Sequence, residues 1–182
     1  MQKSTKISIG AIVATMVIVA LALSQPFVLA DSPGRFDPQK QFSVGTTITF
    51  TSLNGVALQK TDSKPKYVQY DAAASVTVKV ESLTKDGGVR WQVLGGTFSI
   101  NGQTYTITGG DGHMNAFDEI ASGMDGQATG PDGATYHWRL HGFAALYNGV
   151  VIVGLQGGIG TIQNNHAVLG YRLGFMATMT SS

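Results

Sequence analysis

No cysteine occurs anywhere in the 182-residue chain, which excludes disulfides, thiolate metal sites and thiol catalysis. Whatever fold forms must rest on its core and its backbone ladder. No Asn-x-Ser/Thr sequon is present, so N-glycosylation has no acceptor. Reactive motifs are missing too. Gly-x-Ser-x-Gly and His-Glu-x-x-His are absent, and Gly157-Gly158-Ile159-Gly160 lacks the Lys and the following helix of a phosphate loop. Nor is there a polybasic field. The formal charge is +1, and without Lys3 and Lys6 it becomes −1, ten bases against 11 acids. That balance gives nucleic acid nothing to grip.

Lys3 and Lys6 are the only charges before Asp31. They precede an uncharged apolar run from Ile7 to Leu23, which Ser24, Gln25 and Pro26 break. Val28-Leu29-Ala30 then offers small residues at the positions a signal peptidase reads. Residues 1–30 are therefore expected to be a signal peptide whose helix is cleaved before Asp31, leaving a protein secreted or held at the cell surface. The alternative is a chain anchored in the membrane by residues 7–23, and a membrane is a partner only in that case. The remaining 152 residues suit one domain with a real core. Residues 31–40 read as an extended lead-in and 41–182 as a single antiparallel β domain.

Glycine punctuates this region. Asn-Gly stands at 54–55, 101–102 and 148–149, and Asp-Gly at 86–87, 111–112, 125–126 and 132–133. Such pairs adopt the positive-φ conformations of two-residue hairpin turns. Between them run alternating patterns. Phe42, Val44, Ile48 and Phe50 share one parity, and Val76, Val78 and Val80 alternate with Thr77, Lys79 and Glu81. About Asn101-Gly102, Phe98 should face Tyr105 and Gly96 face Ile107. About Asn148-Gly149, Leu146 should meet Val151, Ala144 meet Val153 and Gly142 meet Leu155. Inward residues are odd at Trp91 and Val93 but even at Phe98 and Ile100, so a β-bulge is expected at Gly95-Gly96. In the last strand Leu169, Tyr171, Leu173 and Phe175 share a face. Gln59 to Lys66 reads as a Lys-rich loop, and Met114 to Ser122 fits either a short helix or a strand. The fold class is all-β: an antiparallel meander of roughly eight to ten strands closing into a barrel. A two-sheet β-sandwich is the alternative.

Candidate chemistry is sparse. His137, Arg139 and His141 share one strand face, but residues four apart on a strand stand about 13 Å apart, too far for one ion to take both His. A metal there would need His113 or His166 from another strand, and a solvated outer face is the preferred reading. The acids Asp111, Asp118, Glu119, Asp125 and Asp132 do not match a calcium loop, so no metal and no cofactor are implied. Adjacent Asp118 and Glu119 do not form a glycosidase pair. On the outer face of the 140–156 hairpin, Phe143, Ala145 and Tyr147 lie beside Val150 and Ile152, bordered by His137, Arg139, His141 and Gln156. An exposed antiparallel face should be polar, so this patch is either a ligand or partner surface or is covered by the lead-in or a 157–166 loop.

The run Gly96-Thr97-Phe98-Ser99-Ile100-Asn101-Gly102-Gln103-Thr104-Tyr105-Thr106-Ile107, then Gly130-Pro131-Asp132-Gly133 before Tyr136 and Trp138, then Ala145-Leu146-Tyr147-Asn148-Gly149-Val150-Val151, resembles a group of small exported β-rich proteins of ammonia-oxidising archaea. The likeness covers roughly residues 88–180 and rests mostly on hairpin turns. It implies export and an all-β fold, and it brings no catalytic residue.

Three functional readings follow. The leading one is an exported, non-enzymatic β domain that binds an unknown protein or small ligand. The second is an enzyme acting on a small polar substrate at the barrel mouth or with His137, Arg139 and His141, which requires a pocket holding those three residues. The third is a structural subunit assembling by strand exchange.

Overall fold

The structure, a computed structural model, describes residues 37–115, 121–147, 149–163 and 166–182. The expected signal peptide and most of the lead-in lie outside these residues. A short helix α1 (Pro38–Gln41) is followed by eight strands: β1 (Thr47–Lys60), β2 (Tyr67–Leu83), β3 (Val89–Ile100), β4 (Gln103–Met114), β5 (Ala121–Thr129), β6 (Thr135–Tyr147), β7 (Val150–Gln163) and β8 (His166–Ser181). Each strand pairs antiparallel with the next, and β8 pairs back onto β1, so the meander closes into a barrel. The sandwich alternative is excluded. The end where β1 begins, with α1 and the 84–88 loop, is here the base. The end with the 61–66 loop and the turns at 101–102 and 130–134 is the mouth.

Both hairpins pair as their alternation requires. Phe98 faces Tyr105 and Gly96 faces Ile107, while Leu146 meets Val151, Ala144 meets Val153 and Gly142 meets Leu155. The first turn has Asn101 at φ 52° and Gly102 at φ 73°, the pair of positive φ values that matches the twist of the strands it joins. The inward phase of β3 slips where Thr77 faces Gly95 but Val78 faces Val93, with Leu94 as the extra residue. A second slip lies beside it on β4, between Ile107 and Gly109. The two irregularities share one hairpin and bend it together.

Inward positions are apolar almost throughout. Phe50, Val76, Val78, Trp91, Phe98, Leu140 and Ile159 are at most 2% exposed, and burying each such side chain contributes roughly 1.5–3 kcal/mol. Edge-to-face contacts join Phe50 to Trp91 and Phe98 to Trp138, while Phe98 stacks on Phe175. Outward positions carry Lys79, Arg90, Gln92, Asp111, Asp125, Arg139 and Arg172, all exposed. A barrel apolar within and charged without is the inverse of a transmembrane barrel. Among the described residues no helix is long and apolar enough to cross a membrane. The ion pair between Lys40 and Asp37, 3.3 Å apart and exposed, contributes little. Core and ladder hold the barrel together.

Four expectations need correction. Residues 38–40 of the lead-in are helical, because Asp37 accepts from the Gln39 amide and Pro38 opens the first turn. The Gln39 side chain then donates to the Thr84 and Gly88 carbonyls at 2.7 and 3.1 Å, which ties α1 to the base. Val44 does not share the face of Phe42 and Ile48: it sits in a turn, 59% exposed. Residues 157–163 belong to β7 and form no loop. Three Asx-Gly pairs, at 54–55, 111–112 and 125–126, lie inside strands and make no turn. Met114 and Ser122 are strand residues paired with each other, and 116–120 lie outside the described residues.

Gly112 shows why such a glycine belongs inside a strand. A Cβ there would run into the Gly123 carbonyl and the indole Nε1 of Trp91 and sit 3.0 Å from Cγ of Met124. Trp91 is fully buried and its Nε1 has no acceptor among the described residues, whereas Trp138 donates to the Gln127 carbonyl at 3.2 Å. Overpacking of this kind costs about 1–3 kcal/mol. Gly112→Ala should therefore lower the unfolding free energy in urea titrations by that amount, moving the midpoint down with an unchanged slope. An unaltered midpoint would show slack around Trp91 that the packing does not have.

Candidate functional site

The outer wall holds the residues singled out from sequence. His137, Arg139, His141 and Phe143 run along the outside of β6, and Val150, Ile152 and Gln156 along the outside of β7. The register sets His141 beside Gln156, Phe143 beside Gly154 and Ala145 beside Ile152. His137, Arg139, His141 and Gln156 are exposed. Phe143 is 50% and Val150 46% exposed, and Ile152 is half-buried. The end of the Phe143 ring lies over Gly154, where an added Cβ would sit 2.9 Å from its Cζ. The Tyr147 side chain lies outside the described residues. The patch exists, as an exposed stripe on a convex wall. His137, Arg139 and His141 therefore do not meet in a pocket, which the barrel-mouth enzyme reading required.

The mouth is built differently. Tyr70 from β2, Tyr105 from β4, Tyr136 from β6 and Tyr171 from β8 all point inward there, one from every second strand. Each of these strands starts at the mouth, and each tyrosine comes early in it. A tilted barrel fills an interior layer from alternate strands, which is why residues so far apart in sequence form one layer. Tyr70 and Tyr171 meet edge to face at 6.1 Å, and Tyr105 and Tyr136 at 5.0 Å. Gly130 makes room for the second pair, since a Cβ there would strike the Tyr136 ring.

Polar partners sit around the hydroxyls. Tyr70 donates to Oε1 of Gln59 at 3.2 Å and Tyr136 to Oδ2 of Asp132 at 3.1 Å. The other oxygen of Asp132 accepts from the Ala134 amide at 3.1 Å and so fixes the 130–134 turn. On the outer rim the Arg172 guanidinium lies 6.0 Å from the Tyr67 ring centre, within the range of a cation–π contact. Burial, and then the neighbouring Tyr171 and Tyr136, push the Tyr105 phenol up to about 12. Burial and the Asp132 carboxylate raise that of Tyr136. Both stay neutral over the physiological range, and a neutral phenol both donates and accepts a hydrogen bond. This layer was not among the residues picked from sequence, although its signal was present: an inward tyrosine early in each even-numbered strand.

Comparison with protein-family models, with curated proteins and with solved structures gives no match to this chain. Any functional reading therefore rests on the residues themselves.

The raised Tyr105 phenol makes barrel stability depend on alkaline pH. Its pKa is 10.0 when unperturbed and about 12 in the fold, so between these values the native state holds a proton that the unfolded chain has released. Stability from this group is complete below pH 10 and falls as pH rises toward 12. Thermal melts from pH 9 to about 12 should show this fall, and Tyr105→Phe should flatten it. An equally steep fall in the variant would place the buried ionisation elsewhere.

Proposed function

We propose that the chain is an exported, non-enzymatic binding module that takes a small, neutral, hydroxyl-rich ligand of the saccharide or polyol class at its tyrosine-lined mouth. The observation that carries this reading is the layer of four tyrosines from alternate strands, with Gln59 and Asp132 at its hydroxyls. Aromatic rings supply apolar area at little entropic cost, and hydroxyl, amide and carboxylate groups orient a ligand by hydrogen bonds. The phenols of Tyr105 and Tyr136, held above the ordinary tyrosine range, act as donors and acceptors and not as bases or nucleophiles. The ring pairs are in direct contact at 5.0 and 6.1 Å, which leaves no cage between them for a quaternary ammonium ion. A ligand therefore docks across the ring edges and hydroxyls from outside. The N-terminal pattern of residues 1–30 and the charged outer wall support export as a water-facing domain.

The test is a titration followed by amide NMR, using glucose, N-acetylglucosamine and maltose, with tetramethylammonium as the cationic comparator. At least one saccharide should shift amides near Gln59, Tyr70, Tyr136 and Tyr171 saturably. Loss of two hydrogen-bonding hydroxyls in Tyr70→Phe/Tyr136→Phe should weaken that binding ~10-fold or more. If no saccharide shifts the mouth, if tetramethylammonium alone does, or if the double variant binds unchanged, the reading fails.

A further inference from the structure

His113, Gly123 and His141 lie side by side across three neighbouring strands. His113 of β4 is directly opposite Gly123 of β5, which is directly opposite His141 of β6. His113 and His141 are both exposed on the outer wall. Neighbouring strands are ~4.8 Å apart, so the two His backbones stand roughly 10 Å apart with a glycine between them. Imidazole nitrogens reach well out from the backbone and bind a transition metal at about 2.0–2.1 Å. Two histidines leaning toward each other over the glycine can therefore share one ion, which His137 and His141 on a single strand cannot. The His113 ring already overhangs the gap. A Cβ on Gly123 would sit 3.2 Å from its Cε1 and 3.8 Å from both Nδ1 and Nε2.

We propose that His113 and His141 form a two-histidine site for a divalent transition-metal ion on the outer wall, with Gly123 as the gap that admits it. Among the described residues no group of three or more His, Asp or Glu side chains is placed to hold an ion, so water completes the coordination shell. Imidazole ligands select copper, nickel and zinc over magnesium and calcium. The surrounding field is close to neutral. Asp111 and Asp125 lie one row toward the mouth, Arg139 faces Asp125, and Arg90 faces His113 on its far side. Chelation by the pair, and not general attraction, has to hold the ion. The site is independent of the tyrosine mouth.

Isothermal titration of the protein with zinc chloride, and separately with copper(II) chloride, in a buffer that does not chelate tests the proposal. One equivalent should bind, and magnesium chloride should give no signal. His113→Gln and His141→Gln should each weaken binding ~10-fold or more, at least the loss typical for a group that only supports a ligand. His137→Gln should leave binding unchanged. Gly123→Ala should weaken it without removing a ligand, because the new methyl pushes the His113 ring aside. Circular dichroism shows whether each variant keeps the barrel, and surface changes of this kind are normally tolerated. Absence of zinc and copper binding to the folded wild type overturns the proposal. So does binding that survives both His113→Gln and His141→Gln, or that is lost in folded His137→Gln.

Discussion

Everything in this domain depends on the ladder between its first and last strands. Ten residue pairs from Ile48–Ser181 to Leu58–Arg172 join β1 to β8, and without them the eight strands would form an open sheet with two unpaired edges. Closure removes those edges. It also turns one face of every strand into a shared interior, and with no cysteine in the chain and no network of ion pairs among the described residues, this interior has to supply the stability. Closure further brings β8 beside β2 across a single strand. Tyr171 can then meet Tyr70, and a ring of inward tyrosines exists at all.

The glycines follow from the same constraint. A closed eight-stranded barrel has a narrow interior, and large aromatic side chains fit only where a neighbour gives up its own. Gly112 yields to Trp91, Gly130 to Tyr136 and Gly55 to the Phe175 ring. Outside, Gly154 yields to Phe143 and Gly123 to His113. The barrel thus pairs bulky rings with bare backbone on both faces. The inner pairings build the core. The outer ones shape the surface features, including the gap between His113 and His141.

Much of this was legible in the residues. The hairpins at Asn101-Gly102 and Asn148-Gly149 could be paired residue by residue because alternation fixes register once the turn is known. The phase slip at Gly95 was visible for the same reason. Asp111-Gly112 and Asp125-Gly126 misled, since the dipeptide that makes a turn also appears where a strand must pass close to a large ring, as Gly112 does at Trp91, or close to a neighbouring backbone, as Gly126 does at Gly109 and Gly110. Only the partner, Trp91 in the case of Gly112, tells the two apart. Val44 misled because parity continues on paper through a turn that breaks it in space. The outer stripe of Phe143, Val150 and Ile152 was readable from alternation alone. The tyrosine layer was not, because alternation says which residues point inward but not at what height. Height depends on strand tilt and on closure, which join Tyr70 to Tyr171 across about a hundred residues of sequence.

Native-state amide hydrogen exchange across the β1–β8 ladder tests closure most directly. If the barrel is closed and folds as one unit, amides of Phe50, Ala57, Leu173 and Ala177 should exchange only through global opening. Their protection should then equal that of Trp91, Phe98 and Tyr105 in the β3–β4 hairpin. Fast exchange confined to β1 and β8, with the β3–β4 hairpin still protected, would mean an open sheet. The shared interior and its layer of tyrosines would then not exist as described.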